Sequence, residues 1–141
     1  MVAPSGEGGE RSMRLAMGTI GERSVDYINA HGTSTPAGDV TEIEAIRRIF
    51  GEASTPPVSS TKSLTGHSLG ATGVQEAIYS ILMMKNNFIT ASANVETIDP
   101  KINKNEIATT RRDQVNLDTI LSNSFGFGGT NATIAMSKYN G

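Results

Sequence analysis

Apolar residues change their spacing several times along the chain, and each change marks an element. Met13, Ala16, Met17 and Ile20 recur at helical spacing, so a short helix is expected after a Gly- and Pro-rich loop over residues 3–9, with Gly21 stopping it. Val25–Ala30 reads as a strand with Val25, Tyr27 and Asn29 on one face. It runs into His31-Gly-Thr-Ser-Thr-Pro36, whose turn residues cannot continue it. Asp39-Val-Thr-Glu42 has the spacing of a capping box, and Ile43, Ile46, Ile49 and Phe50 follow as an apolar helical stripe ended by Gly51. Pro56-Pro57 separate this helix from a short strand over Val58–Thr61.

The most informative pattern is the helix expected over residues 73–85. Val74, Ala77, Ile78, Ile81 and Leu82 make one apolar face, and Tyr79, Met83 and Met84 cover much of the rest. Between Val74 and Met84 only Gln75, Glu76 and Ser80 are polar. A helix apolar almost all round is buried on more than one side. It is therefore expected either between two layers or with a large apolar face uncovered. Beyond it, Phe88–Ala91 reads as a short extended piece and residues 99–105 as a surface loop. Thr119–Phe125 and Ala132–Tyr139 read as two strands joined by Gly126-Phe-Gly-Gly-Thr-Asn131. The order of elements gives a layered α/β arrangement. These few elements cannot cover both sides of helix 73–85, so a partner segment is expected to be missing.

Composition narrows the function. A length of 141 residues suits one domain with a sizeable core. The net charge of -2 and pI near 5.6 give no electrostatic case for nucleic acid or an anionic membrane as partner. The chain has no cysteine, which removes disulfides, thiolate metal clusters and a cysteine nucleophile. That composition fits a reducing compartment. The N-terminus turns polar at once, unlike a secretory signal, and the apolar run Ile81–Met84 is too short to span a bilayer. A soluble, cytoplasmic protein is expected.

Several motifs invite chemistry. Gly66-His-Ser-Leu-Gly70 matches the nucleophile elbow of α/β-hydrolases, but the hydrolase order is Ser, acid, His, and no His follows Ser68. An esterase fails on residue order. His31 and His67 are the only histidines, on separate loops and without an acid at ligand spacing, which argues against a zinc centre. Gly126-Phe-Gly-Gly precedes a strand and departs from the dinucleotide fingerprint. As a Gly-rich turn it lets backbone N–H groups approach a reacting carbonyl. Two histidines in turn-rich loops after strands point to function, because α/β proteins place ligand chemistry at strand ends.

Taken together and in order, His31-Gly-Thr-Ser-Thr-Pro36, Lys62-Ser-Leu-Thr-Gly-His-Ser-Leu-Gly-Ala71 and Asn123-Ser-Phe-Gly-Phe-Gly-Gly-Thr-Asn131 resemble the β-ketoacyl-acyl carrier protein synthases, synthase I more than synthase II. The resemblance implies the C-terminal part of a thiolase-like fold, layered α/β/α/β/α and incomplete without its upstream half, with residues 1–141 as a single partial domain. Met1-Val-Ala-Pro-Ser-Gly-Glu-Gly resembles an internal stretch of the family, so the chain is expected to be a fragment. It implies a decarboxylative Claisen condensation of acyl and malonyl groups carried on acyl carrier protein, by a homodimer and without a cofactor. The family's nucleophilic Cys lies upstream of Met1, so this chain alone is expected to be inactive.

By the same resemblance His31 and His67 stabilise the enolate, and the Phe127 backbone N–H helps hold the other oxyanion while its side chain gates the acyl pocket. Lys62 pairs with Glu76 and fixes the field around His67. Thr33 and Thr35 contact the pantetheine arm, and Asn29, Glu76, Ser122 and Asn123 match a monovalent-cation region. Two rival readings remain: a cysteine-free partner chain that shapes a condensing enzyme's pocket, and a polyketide-type ketosynthase. Retention of both histidines with Lys62 argues against the first.

Overall fold

A computed structural model describes residues 5–141. Its elements are α1 (Glu7–Met17), β1 (Tyr27–Asn29), α2 (Gly38–Phe50), β2 (Val58–Ser59), α3 (Lys62–Thr65), α4 (Thr72–Asn86), β3 (Phe88–Ile89), β4 (Arg112–Asp113), β5 (Thr119–Phe125) and β6 (Asn131–Ser137). The main sheet has the order β2-β1-β5-β6. β1 runs parallel to both its neighbours, and β5 and β6 form an antiparallel hairpin. β3 and β4 make a separate antiparallel pair.

Helices cover both faces of the main sheet. On one, Met13 of α1 and Ile43 and Ile46 of α2 pack on Ile28 and Leu121. On the other, Met83 and Met84 of α4 pack on Tyr27 and Ile120, with Ile89 and Leu117. This two-sided cover explains why Tyr27, Ile28 and Asn29 are all buried. Tyr27 and Asn29 share the α4 face as the alternation predicts, whereas Val25 precedes the strand and packs in the α1–α2 cluster.

Sequence and structure part in other places as well. The loop expected over 3–9 is helix from Glu7 onward, its first positions lying outside the described residues, and α1 ends at Met17 instead of Gly21. Gly8 and Gly9 belong to that helix for packing reasons. A Cβ on Gly8 would stand 2.3 Å from Asn131 Nδ2, and one on Gly9 2.9 Å from the Phe125 ring. The strand expected over 58–61 stops at Ser59, because Thr61 already stands at the N-cap position of α3. Lastly, Asp39 and Glu42 form no capping box. Thr35 Oγ1 accepts from the Gly38 N–H, Asp39 accepts from the Ser34 N–H, and Glu42 is drawn into the core.

Helix α4 leaves an apolar face uncovered. Tyr79, Met83 and Met84 pack on the chain's own sheet, while Val74, Ile78, Ile81 and Leu82 are 66%, 50%, 45% and 47% exposed. Full burial of such side chains is worth about 1.5–3 kcal/mol each.

Candidate active site

The site gathers where β1, β2 and β5 end. Because β1 and β5 are parallel neighbours, the loops that follow Asn29 and Phe125 leave the sheet on the same side, and the turn between α3 and α4 joins them. His31 follows β1, and His67 lies between Gly66 and the 3-10 turn Leu69–Ala71. Their rings stand edge to face with centroids 5.5 Å apart. The Phe125 ring is 6.0 Å from that of His31, so the Gly-rich loop beginning there runs past the pair.

Backbone geometry fixes the His67 tautomer. The Leu69 N–H donates to His67 Nδ1 at 3.1 Å, and a backbone N–H can only donate. Nδ1 is therefore an acceptor, and the ring proton sits on Nε2. The Thr72 hydroxyl, 2.9 Å from the same Nδ1, must be a second donor. His31 is held neutral by other means. Burial, with Lys62 and His67 adding to it, lowers its pKa to about 4. Its Nδ1 is buried without a partner, which leaves Nε2 as the atom a ligand can reach.

Close enough to His31 for its charge to act there, Lys62 Nζ donates to Glu76 Oε1, with side chains 5% and 1% exposed. Burial pushes the Glu76 carboxyl up, and the hydrogen bond from Lys62 opposes it. On the other face of the sheet Glu42 accepts the N–H groups of His31 and Gly32, both at 2.9 Å, and Asn123 Nδ2 at 3.1 Å. Burial pushes this carboxyl up as well, and its N–H donors draw it back. Glu42 thus sets the backbone that carries His31. Its local spacing imitates a cap, so the sequence hid this partner.

Phe127 lies in the turn Phe127–Gly129, its side chain 90% exposed. Gly128 and Gly129 adopt φ of 74° and 82°, the left-handed values that let this turn close. Thr33 and Thr35 line a cavity of 690 Å³ shared with Lys62 and the 92–99 loop; neither histidine lines it. Thr35 Oγ1 also accepts the Gly38 N–H where α2 begins. Asn29 and Glu76 meet on the α4 face, and Asn29 Oδ1 and Glu76 Oε2 are buried acceptors without hydrogen-bond partners, which suits a monovalent cation. Ser122, two residues along β5 from Ile120, shares that face. The Asn123 side chain points to the opposite face, where its amide donates to Glu42 and accepts from Thr133.

A sheet covered by helices on both sides, with two neutral histidines at its strand ends, defines the C-terminal part of a thiolase-like ketosynthase fold. The family described as beta-ketoacyl synthase, C-terminal domain, matches residues 1–96, and the chain belongs to it. It is 56% identical over 141 residues to the 3-oxoacyl-[acyl-carrier-protein] synthase 1 of Haemophilus influenzae, covering all of this chain and 34% of that protein. The Escherichia coli K12 protein of the same name is 56% identical over 138 residues, covering 98% of this chain and 33% of its own length. Among solved structures, the ishigamide ketosynthase/chain length factor superposes with a TM-score of 0.91 at 32% identity, over 98% of this chain and 34% of that one. A ketosynthase in complex with its type II polyketide acyl-carrier protein gives 0.88 at 30% identity, over 96% and 34%. The chain thus spans about a third of the length of the relatives it matches.

Proposed function

We propose that this chain supplies the two-histidine half of the site of a β-ketoacyl-acyl carrier protein synthase that elongates fatty acids. The supporting observation is the pair His31 and His67, both neutral with ring centroids 5.5 Å apart, together with a buried Lys62–Glu76 ion pair. In the proposed reaction a malonyl thioester loses carbon dioxide and its electron pair becomes an enolate. The Nε2–H groups of His31 and His67 donate to the enolate oxygen. The enolate carbon then attacks an acyl thioester held on a Cys outside this chain. The resulting tetrahedral oxyanion accepts the Phe127 N–H, and it collapses to expel the thiolate. A well-placed donor to such an oxyanion is worth roughly 2.7–4 kcal/mol.

Neutral imidazoles suit this role, because a cation there would compete for the departing carboxylate. Thr33 and Thr35, which line the 690 Å³ cavity, would meet the polar arm of the carrier protein's prosthetic group. Asn29, Glu76 and Ser122 would hold a monovalent cation that neutralises the second Glu76 oxygen. The 56% identity to a synthase 1 protein, against 30% to the type II polyketide ketosynthase, supports the pathway. The proposal extends to residues 1–141 as one partial domain, acyl carrier protein as partner, a homodimer and the cytoplasm. Among the described residues no helix is long and apolar enough to cross a membrane.

The test joins this chain to the N-terminal part of the Haemophilus influenzae relative. That hybrid should form 3-ketoacyl product from acyl- and malonyl-acyl carrier protein, while the 141-residue chain, which has no cysteine, should form none. Product from the chain alone would overturn the reading.

A further inference from the structure

The buried side of α4 carries a polar stripe at helical spacing, Thr72, Glu76 and Ser80, all at most 4% exposed. Each member holds a different part of the site. Glu76 takes Lys62, Ser80 Oγ lies 3.3 Å from Asn29 Nδ2, and Thr72 Oγ1 stands 2.9 Å from Nδ1 of His67. Neither the ion pair nor the Asn29 contact needs Thr72. Among the described residues the hydroxyl of Thr72 has His67 as its hydrogen-bond partner. A buried hydroxyl without a partner is destabilising, so ring and hydroxyl are committed to one another.

The two donors to Nδ1 differ in how firmly they are held. Leu69 sits at φ 53°, a left-handed conformation uncommon for a residue with a branched side chain, and Gly66 at φ 73° begins the same turn. Its N–H therefore reaches His67 from a strained, exposed segment. Thr72 opens a 15-residue helix packed on the sheet. We propose that Thr72 is a positioning residue for decarboxylation. Its hydroxyl, delivered by α4, holds the ring plane of His67, whose tautomer the Leu69 N–H sets, so that Nε2–H faces the malonyl thioester oxygen. This rests on the enolate-holding role given to His67 above.

Thr72→Val keeps the shape and removes the donor, whereas Thr72→Ser keeps the donor and removes a methyl group. In the hybrid synthase, Thr72→Val should lower kcat for malonyl decarboxylation about tenfold with KM unchanged, the kinetic equivalent of one hydrogen bond. Thr72→Ser should stay within about twofold of the parent. The 15N resonance of His67 Nδ1 should move in Thr72→Val toward that of a less hydrogen-bonded imine nitrogen and hold in Thr72→Ser. Equal losses in both variants would assign Thr72 to packing and overturn the proposal. A parental kcat in Thr72→Val beside an inactive His67→Ala would overturn it too, leaving the role of His67 intact. Parental decarboxylation by His67→Ala would instead remove the reading on which it rests. Should Thr72→Val fail to fold, Thr72→Ala takes its place in the same comparison, with the same outcomes.

Discussion

Lys62 and Glu76 form an ion pair 14 residues apart in sequence, with side chains only 5% and 1% exposed. One lies on the short α3 and the other on the sheet-facing side of α4, so the pair ties together the two elements that flank His67. A buried pair is weak evidence of stability, but removing one partner strands a charge. Its effect reaches His31, whose pKa falls to about 4 through burial first and the positive charge of Lys62 second.

The titration of His31 therefore tests the local field. Its folded value of about 4 lies below the ordinary 6.5. As pH falls through about 6.5 the unfolded chain binds the proton first, so the stability this site contributes is lost between about 6.5 and 4. An NMR titration of the hybrid should place the His31 midpoint near 4, and Lys62→Met should move it upward. A midpoint at the ordinary value in the parent would contradict the burial argument.

Glu42 offers a second test. Glu42→Ala leaves the N–H groups of His31 and Gly32 and the amide of Asn123 without their acceptor. A loss of about 3–5 kcal/mol in denaturant unfolding is expected, together with a slower decarboxylation as His31 shifts. A change under about 1 kcal/mol would assign Glu42 to a surface-like role, against its burial.

These two carboxylates show what the sequence disclosed and what it concealed. The near-continuous apolar character of α4 announced a helix meant for two partners, and the structure leaves Val74, Ile78, Ile81 and Leu82 waiting for the second. The loop motifs carried both histidines and Lys62, and Glu76 stood out as a polar position on a helix otherwise apolar almost all round. Glu42 was hidden because its partners lie across the chain, while its local spacing suggested a helix cap. The opening turn of α1 was hidden because Gly8 and Gly9 mark loops by composition, yet Asn131 and Phe125 leave no room there for a Cβ. Periodicity reports which face of an element is apolar. It is silent on which polar atom reaches which.

The uncovered face of α4 predicts the behaviour of the isolated chain. Sedimentation velocity at micromolar concentration should find self-association or precipitation. Ile78→Lys with Leu82→Lys should disperse it by charging that face. A stable monomer of the parent sequence would show that the four exposed side chains need no partner.

The most direct test of the central claim separates the two half-reactions in the hybrid synthase. With His67→Ala, release of carbon dioxide from malonyl-acyl carrier protein should fall at least about a hundredfold, the effect of losing one oxyanion donor. Acyl transfer to the upstream Cys should persist, because His67 is assigned to the enolate and not to the acyl tetrahedral intermediate. Equal loss of both half-reactions, or retention of decarboxylation, would contradict the account.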